Sequence, residues 1–242
     1  MRRHYHRWYS PHLSRDMELL VFGEAGARVF VFPSREGRFY DYENWGIVEA
    51  VRAKIENGWL QLICVDSIDA ESLYNRSLAP AERIMRHLQF EAYILNEVLP
   101  FTRQTNPNPH LTVHGFSVGA FHAVNFAFRH PDTVAKVVAC SGRYDLAAPT
   151  GHYEDLFDGY HDETIYFNNP LQFVPNIADE ALLVLLRRME IHLAVGEFDP
   201  FLASNCQFSA ALQRLGIAHS LYIWQGRAHK PKSWQQMAAL YL

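Results

Sequence analysis

Residues 115–119 read Gly-Phe-Ser-Val-Gly, and their flanks constrain the fold more than any other part of the chain. His110-Leu-Thr-Val-His114 is a short strand-like run after the loop Thr105-Asn-Pro-Asn-Pro109. Ala120 to Arg129 has helical composition and stops at His130-Pro131. Strand, G-x-S-x-G and helix in that order form the context of a nucleophile elbow. A serine on so sharp a turn is forced into a strained backbone conformation, which lifts its hydroxyl above the sheet. Side chains two residues before and after would collide there, so Gly115 and Gly119 leave room. The hydroxyl also stands at a helix N-terminus, whose amides stabilise an oxyanion. The competing expectation is a glycine-rich turn in which Ser117 merely caps the helix.

The rest of the chain follows the rhythm that such a turn needs. Tyr5–Tyr9 and Met17–Phe22 read as two early antiparallel strands, and Arg28–Phe32 and Leu60–Val65 as buried strands. Residues 43–56 read as a helix stopped by Asn57-Gly58, and Pro80–Phe101 as one long helix. Lys136–Cys140, Ile191–Val195 and Ser220–Trp224 complete the strands, with helices over Ser204–Leu215 and residues 231–242. Strands alternating with helices predict an α/β fold whose mostly parallel central sheet is covered on both faces. No repeat or linker divides residues 1–242, so one domain is expected. Residues 144–180 break the rhythm and predict an irregular excursion over the strand C-termini, the edge where open α/β sheets bind ligands.

A serine hydroxyl needs a base, and the base needs an acid to hold its tautomer. In this architecture the order is Ser, Asp/Glu, His. The loop after Ile191–Val195 offers Asp199, with Glu197 as the alternative, and the loop after the last strand offers His229 as its sole histidine. Thirteen histidines make position decisive. His192 lies inside a strand, His219 at the start of one, His114 in the strand before the elbow, and His122 on the helix after it. The oxyanion donors expected are the amide of Val118 and those around Ser34 and Arg35, in the loop after the third strand. Arg35 and Arg38 read as solvated charges, with an anionic substrate as the other use.

Composition excludes several classes. A chain of 242 residues with 49% apolar and 20% charged side chains can bury a large core. A net charge of −4 with interspersed signs gives no nucleic-acid surface, and the Arg2–Arg7 cluster reads as a solvated end. No signal-like or membrane-length apolar run occurs, so no membrane partner is expected. Cys64, Cys140 and Cys206 read as free thiols, which predicts a cytoplasmic protein. His4-x-His6 lies at the chain end, and no H-E-x-x-H, C-x-x-C, G-x-G-x-x-G or P-loop is present, so no metal and no cofactor is expected. A homo-oligomer stays open.

The chain resembles the α/β-hydrolase superfamily, and more narrowly its esterase D-like esterases, over nearly its whole length. The resemblance rests on Val31-Phe-Pro-Ser-Arg-Glu-Gly-Arg38, Arg86-His-Leu-Gln-Phe-Glu91, Glu97-Val-Leu-Pro100, Gly115-Phe-Ser-Val-Gly-Ala120, Arg129-His-Pro-Asp132, Ser141-Gly-Arg-Tyr-Asp145 and Ala228-His229. It implies hydrolysis of carboxylic esters through an acyl-serine. Two departures stand out. The histidine is followed by Lys230-Pro-Lys-Ser-Trp234 where relatives often have Asp-Trp, and the first-donor loop has Pro-Ser where many hydrolases have His-Gly. The expected function is a serine carboxylesterase for a small ester of short-chain or small aromatic type. An acyltransferase using the same triad with an alcohol acceptor, and a non-catalytic binding protein of this fold, are the alternatives.

Overall fold

Apolar residues fill both alternating positions of the central strands, as a parallel sheet covered on two sides requires. The computed structural model describes residues 1–242. Its strands are β1 Arg3–Ser10, β2 Arg15–Phe22, β3 Ala27–Phe32, β4 Leu60–Val65, β5 Leu111–Phe116, β6 Lys136–Cys140, β7 Glu190–Gly196 and β8 Ser220–Trp224. They join one sheet in the order β1-β2-β4-β3-β5-β6-β7-β8. β2 runs antiparallel to both neighbours, and every pair from β4 to β8 is parallel.

The pleat sorts side chains to two cores. Phe30, Phe32, Val137 and Ala139 face the layer built by the helices Pro80–Tyr93, Val118–Arg129 and Leu202–Arg214. Val29, Val31, Val138 and Cys140 face the other layer, which holds Tyr42, Ile47, Val51 and Ile55 and the helix Pro231–Tyr241. Burying each Phe, Val or Ile of these layers contributes about 1.5–3 kcal/mol. Because strands β3 to β8 are parallel, they end on one edge, in loops beginning at Pro33, Asp66, Ser117, Ser141, Glu197 and Gln225.

Two helices differ from their expected form. Residues 43–56 are not one helix but three short ones, Asp41–Asn44, Ile47–Ala50 and Arg52–Glu56. Gly46 has a left-handed φ of 68°, which turns the chain after Trp45. That turn sets the Trp45 ring against Trp234, 5.5 Å between centroids, and its carbonyl accepts from Gln235 Nε2 at 2.6 Å. The helix expected over Pro80–Phe101 runs on to Thr105 through a π-helical segment, Ile94–Val98. Pro100 has no N–H, and its ring would meet the Asn96 carbonyl in an unbroken α-helix; the wider turn absorbs that conflict.

The excursion at 144–180 contains three short helical turns, Glu163–Tyr166, Pro170–Phe173 and Val174–Asn176. Leu146, Leu156, Phe157 and Ile165 pack on Phe121 and Ile84, which docks the segment beside the helix that follows Ser117.

Candidate active site

Ser117 has φ 57° and ψ −119°, the left-handed strain that the elbow motif predicts. Two main-chain bonds hold it there. Its N–H donates to the Cys140 carbonyl at 2.9 Å, and its carbonyl accepts from the Ala120 N–H at 3.1 Å. The side chain makes no capping bond to the helix Val118–Arg129, so the turn spends no hydroxyl on its own stability. A Cβ at Gly115 would lie 2.1 Å from the Gly119 carbonyl carbon, and one at Gly119 would lie 2.2 Å from the Phe32 carbonyl oxygen. Both glycines are therefore required by contact. The close approach of Phe32 also brings the loop after β3 beside the start of the helix.

His229 leaves β8 through Ala228, itself left-handed at φ 52°. Its Nδ1 lies 3.0 Å from Asp199 Oδ2, and Asp199 Oδ1 accepts from the Phe201 N–H at 2.9 Å. The Asp199 carboxylate is fully buried, whereas 13% of the imidazole is exposed. A carboxylate held so favours the tautomer with its proton on Nδ1, which would leave Nε2 free. Glu197, the alternative acid, is spent elsewhere: its Oε1 accepts from the Gly226 N–H at 2.8 Å and ties the two loops together. Gly196 allows that closeness, because a Cβ there would lie 2.1 Å from the Arg227 carbonyl oxygen.

The departure after the histidine has a structural use. Trp234 stacks on Phe116, 4.9 Å and 13° between the rings, and meets His229 edge-on at 5.3 Å. Phe201 packs against the imidazole at 5.7 Å. The imidazole is thus flanked by two aromatic rings.

Ser117, Val118, His229, Ser34 and Arg35 line one cleft of about 220 Å³. The N–H groups of Val118, Ser34 and Arg35 have no main-chain acceptor, which leaves them available to an oxyanion. Tyr74, Arg143, Tyr153, Phe201 and Trp234 complete the lining. Burial pushes the Tyr74 phenol up, which keeps it neutral, and draws the Arg143 guanidinium below its ordinary value. None of these five stood out in the sequence as a site residue; only proximity in three dimensions marks them. A larger surface groove, about 620 Å³ around Asp145, Thr150, Gln207 and Arg214, is lined by no histidine and no cysteine. His114, His122 and His192 all lie away from the cleft, in the core or paired with Asp69 and Glu190.

Residues 41–236 match the model of the Esterase family, "Putative esterase". Among solved structures, a ferulic acid esterase is 17% identical with a TM-score of 0.78, over 99% of this chain and 95% of that one. The Staphylococcus aureus fluorophosphonate-binding serine hydrolase F is 16% identical with a TM-score of 0.76, over 98% and 95%. An S-formylglutathione hydrolase from Agrobacterium tumefaciens is 16% identical with a TM-score of 0.76, over 98% and 91%. At these identities the likeness is one of fold. No curated protein matches the chain in sequence. No helix is long and apolar enough to cross a membrane. The family match spans most of the chain, including the elbow and residues 199 and 229: this chain belongs to the Esterase family and is a hydrolase.

Proposed function

We propose that the protein is a serine carboxylesterase acting on short-chain or small aromatic esters, with Ser117, Asp199 and His229 as its triad. One observation carries the reading: a strained, uncapped Ser117 shares a cleft with a histidine anchored by a buried aspartate. In this mechanism Ser117 Oγ attacks the ester carbonyl carbon as His229 Nε2 takes its proton. The carbonyl oxygen becomes an oxyanion, held by the Val118 amide and by that of Ser34 or Arg35. Collapse expels the alcohol, protonated by His229, and leaves acyl-Ser117. Water then attacks the acyl carbon with His229 again as base, giving the acid and free serine. Asp199 holds the imidazole and stabilises its cation.

A cleft of about 220 Å³ with rings from Tyr74, Tyr153, Phe201 and Trp234 supports a small or flat substrate over a long chain. Tyr153 belongs to the excursion, which supports that segment as part of the substrate side. Three unpaired cysteines support a reducing compartment, the cytoplasm.

The test is hydrolysis of p-nitrophenyl esters from acetate to palmitate, with Ser117→Ala alongside and fluorophosphonate labelling of both proteins. Turnover that peaks at short chains and vanishes with the label in Ser117→Ala is expected. Turnover that peaks at palmitate would overturn the substrate class, and turnover surviving in Ser117→Ala would overturn the nucleophile.

A further inference from the structure

The cleft carries two guanidinium groups that no protein carboxylate touches, although the chain as a whole has a net charge of −4. Arg143 is 3% exposed, yet its guanidinium forms no ion pair. Nε donates to the Asp145 carbonyl at 3.1 Å, and Nη2 to the carbonyls of Leu146, Ala148 and Glu154 at 3.2, 2.8 and 2.7 Å. Nη1 has no protein acceptor. The nearest carboxylates, Asp145 and Asp155, act on the guanidinium through space only and make their hydrogen bonds to other groups. Asp145 accepts from the Ala147 and Ala148 amides and from Gln172, and Asp155 accepts from the Phe157 and Gly159 amides. Arg35 stands over the Tyr74 ring, 5.5 Å from its centroid, and has no carboxylate partner. No acidic residue lines the cleft with them.

Burying a guanidinium without a counter-charge in contact is costly, and carbonyl dipoles with the distant Asp145 and Asp155 offset only part of that cost, since burial still draws it down. A ligand carboxylate would complete the pairing, in the bidentate geometry that arginine favours. Resting on the esterase reading above, we infer that the cleft takes an ester carrying a carboxylate, with Arg143 and Arg35 as the residues that recognise it. Arg143 also knits the carbonyls of residues 145–154 together, so its test needs a readout that loss of structure alone would not move.

That readout is the ratio of kcat/KM for a charged ester to that of its neutral isostere, measured within each protein. Mono-p-nitrophenyl adipate against its methyl ester places the carboxylate on the acyl side. Para-acetoxybenzoate against para-acetoxybenzamide places it on the alcohol side. One pair is expected to show a ratio of about tenfold or more, equal to about 1.4 kcal/mol. The ratio should fall toward one in Arg143→Gln and in Arg35→Gln, and as salt rises from about 0.05 to about 0.5 M. Arg35 is exposed, so its variant reads the same ratio if Arg143→Gln does not fold. Ratios near or below one in both pairs overturn the inference, as does a high ratio unmoved by either variant. Fluorophosphonate labelling of Ser117 without hydrolysis of either pair overturns this inference alone. Neither labelling nor hydrolysis overturns the esterase reading and this inference with it.

Discussion

Replacing Gly119 with alanine puts a carbon 2.2 Å from the Phe32 carbonyl oxygen and 2.6 Å from that of Pro33. Ordinary carbon–oxygen contacts lie at about 3.3 Å. The start of the helix Val118–Arg129 and the end of β3 must therefore part by about 1 Å. Both obstacles are main chain, so no side chain can rotate away. The displaced segments carry Val118 on one side and Ser34 and Arg35 on the other, the two halves of the proposed oxyanion site. A misplacement of about 1 Å costs on the order of 10²-fold in rate, while overpacking costs about 1–3 kcal/mol of stability. The assay is steady-state hydrolysis of p-nitrophenyl acetate, with urea unfolding of the same preparations. Ile217→Val is the control. It trims a buried residue just before β8, at the far end of the sheet, and should cost about 0.5–1.5 kcal/mol with activity intact. Gly119→Ala within about threefold of wild type in kcat/KM would refute this account of the oxyanion site.

Asp199→Asn should lower kcat by about 10³- to 10⁴-fold, whereas Glu197→Gln keeps an acceptor for the Gly226 N–H and should stay within about threefold of wild type; steady-state kinetics decide, and the reverse order would exchange the two acids. Stability should fall in mild acid, because burial holds His87 down to about 3 and His114 to about 4, against 6.5 for an unhindered histidine. Their stabilisation is complete above pH 6.5 and is lost as pH falls toward the folded values, because only the unfolded chain takes up the protons. From pH 7 to pH 5 the two together lose about 4 kcal/mol, and a urea midpoint unchanged across that interval would contradict the buried neutral pair. Cys64 and Cys140 are buried, which pushes their thiols up, and Cys206 is exposed. A thiol reagent should titrate one cysteine in the native protein and three after denaturation, and three in the native state would place the buried pair wrongly.

The sequence by itself determined the sheet and the elbow. Runs such as Arg28–Phe32 and Lys136–Cys140 have no polar alternation, and only a strand buried on both faces satisfies them. Gly115 and Gly119 around Ser117 announced a contact that the structure measures at little more than 2 Å. Chain order then pointed to the loops after β7 and β8 for the proposed acid and base, though not to one acid. Which of Glu197 and Asp199 meets His229 was tertiary, since two carboxylates two residues apart differ only in what the β8 loop presents to each. The breaks at Gly46 and Ile94–Val98 were also beyond a helical pattern, because the apolar spacing continues across them while local backbone conflicts decide the form. The cleft was least legible of all. Tyr74, Arg143 with Tyr153, and Trp234 come from three separate segments. Only folding sets those segments side by side, and an arginine shows itself as unpaired only when every carboxylate around it has been assigned a partner.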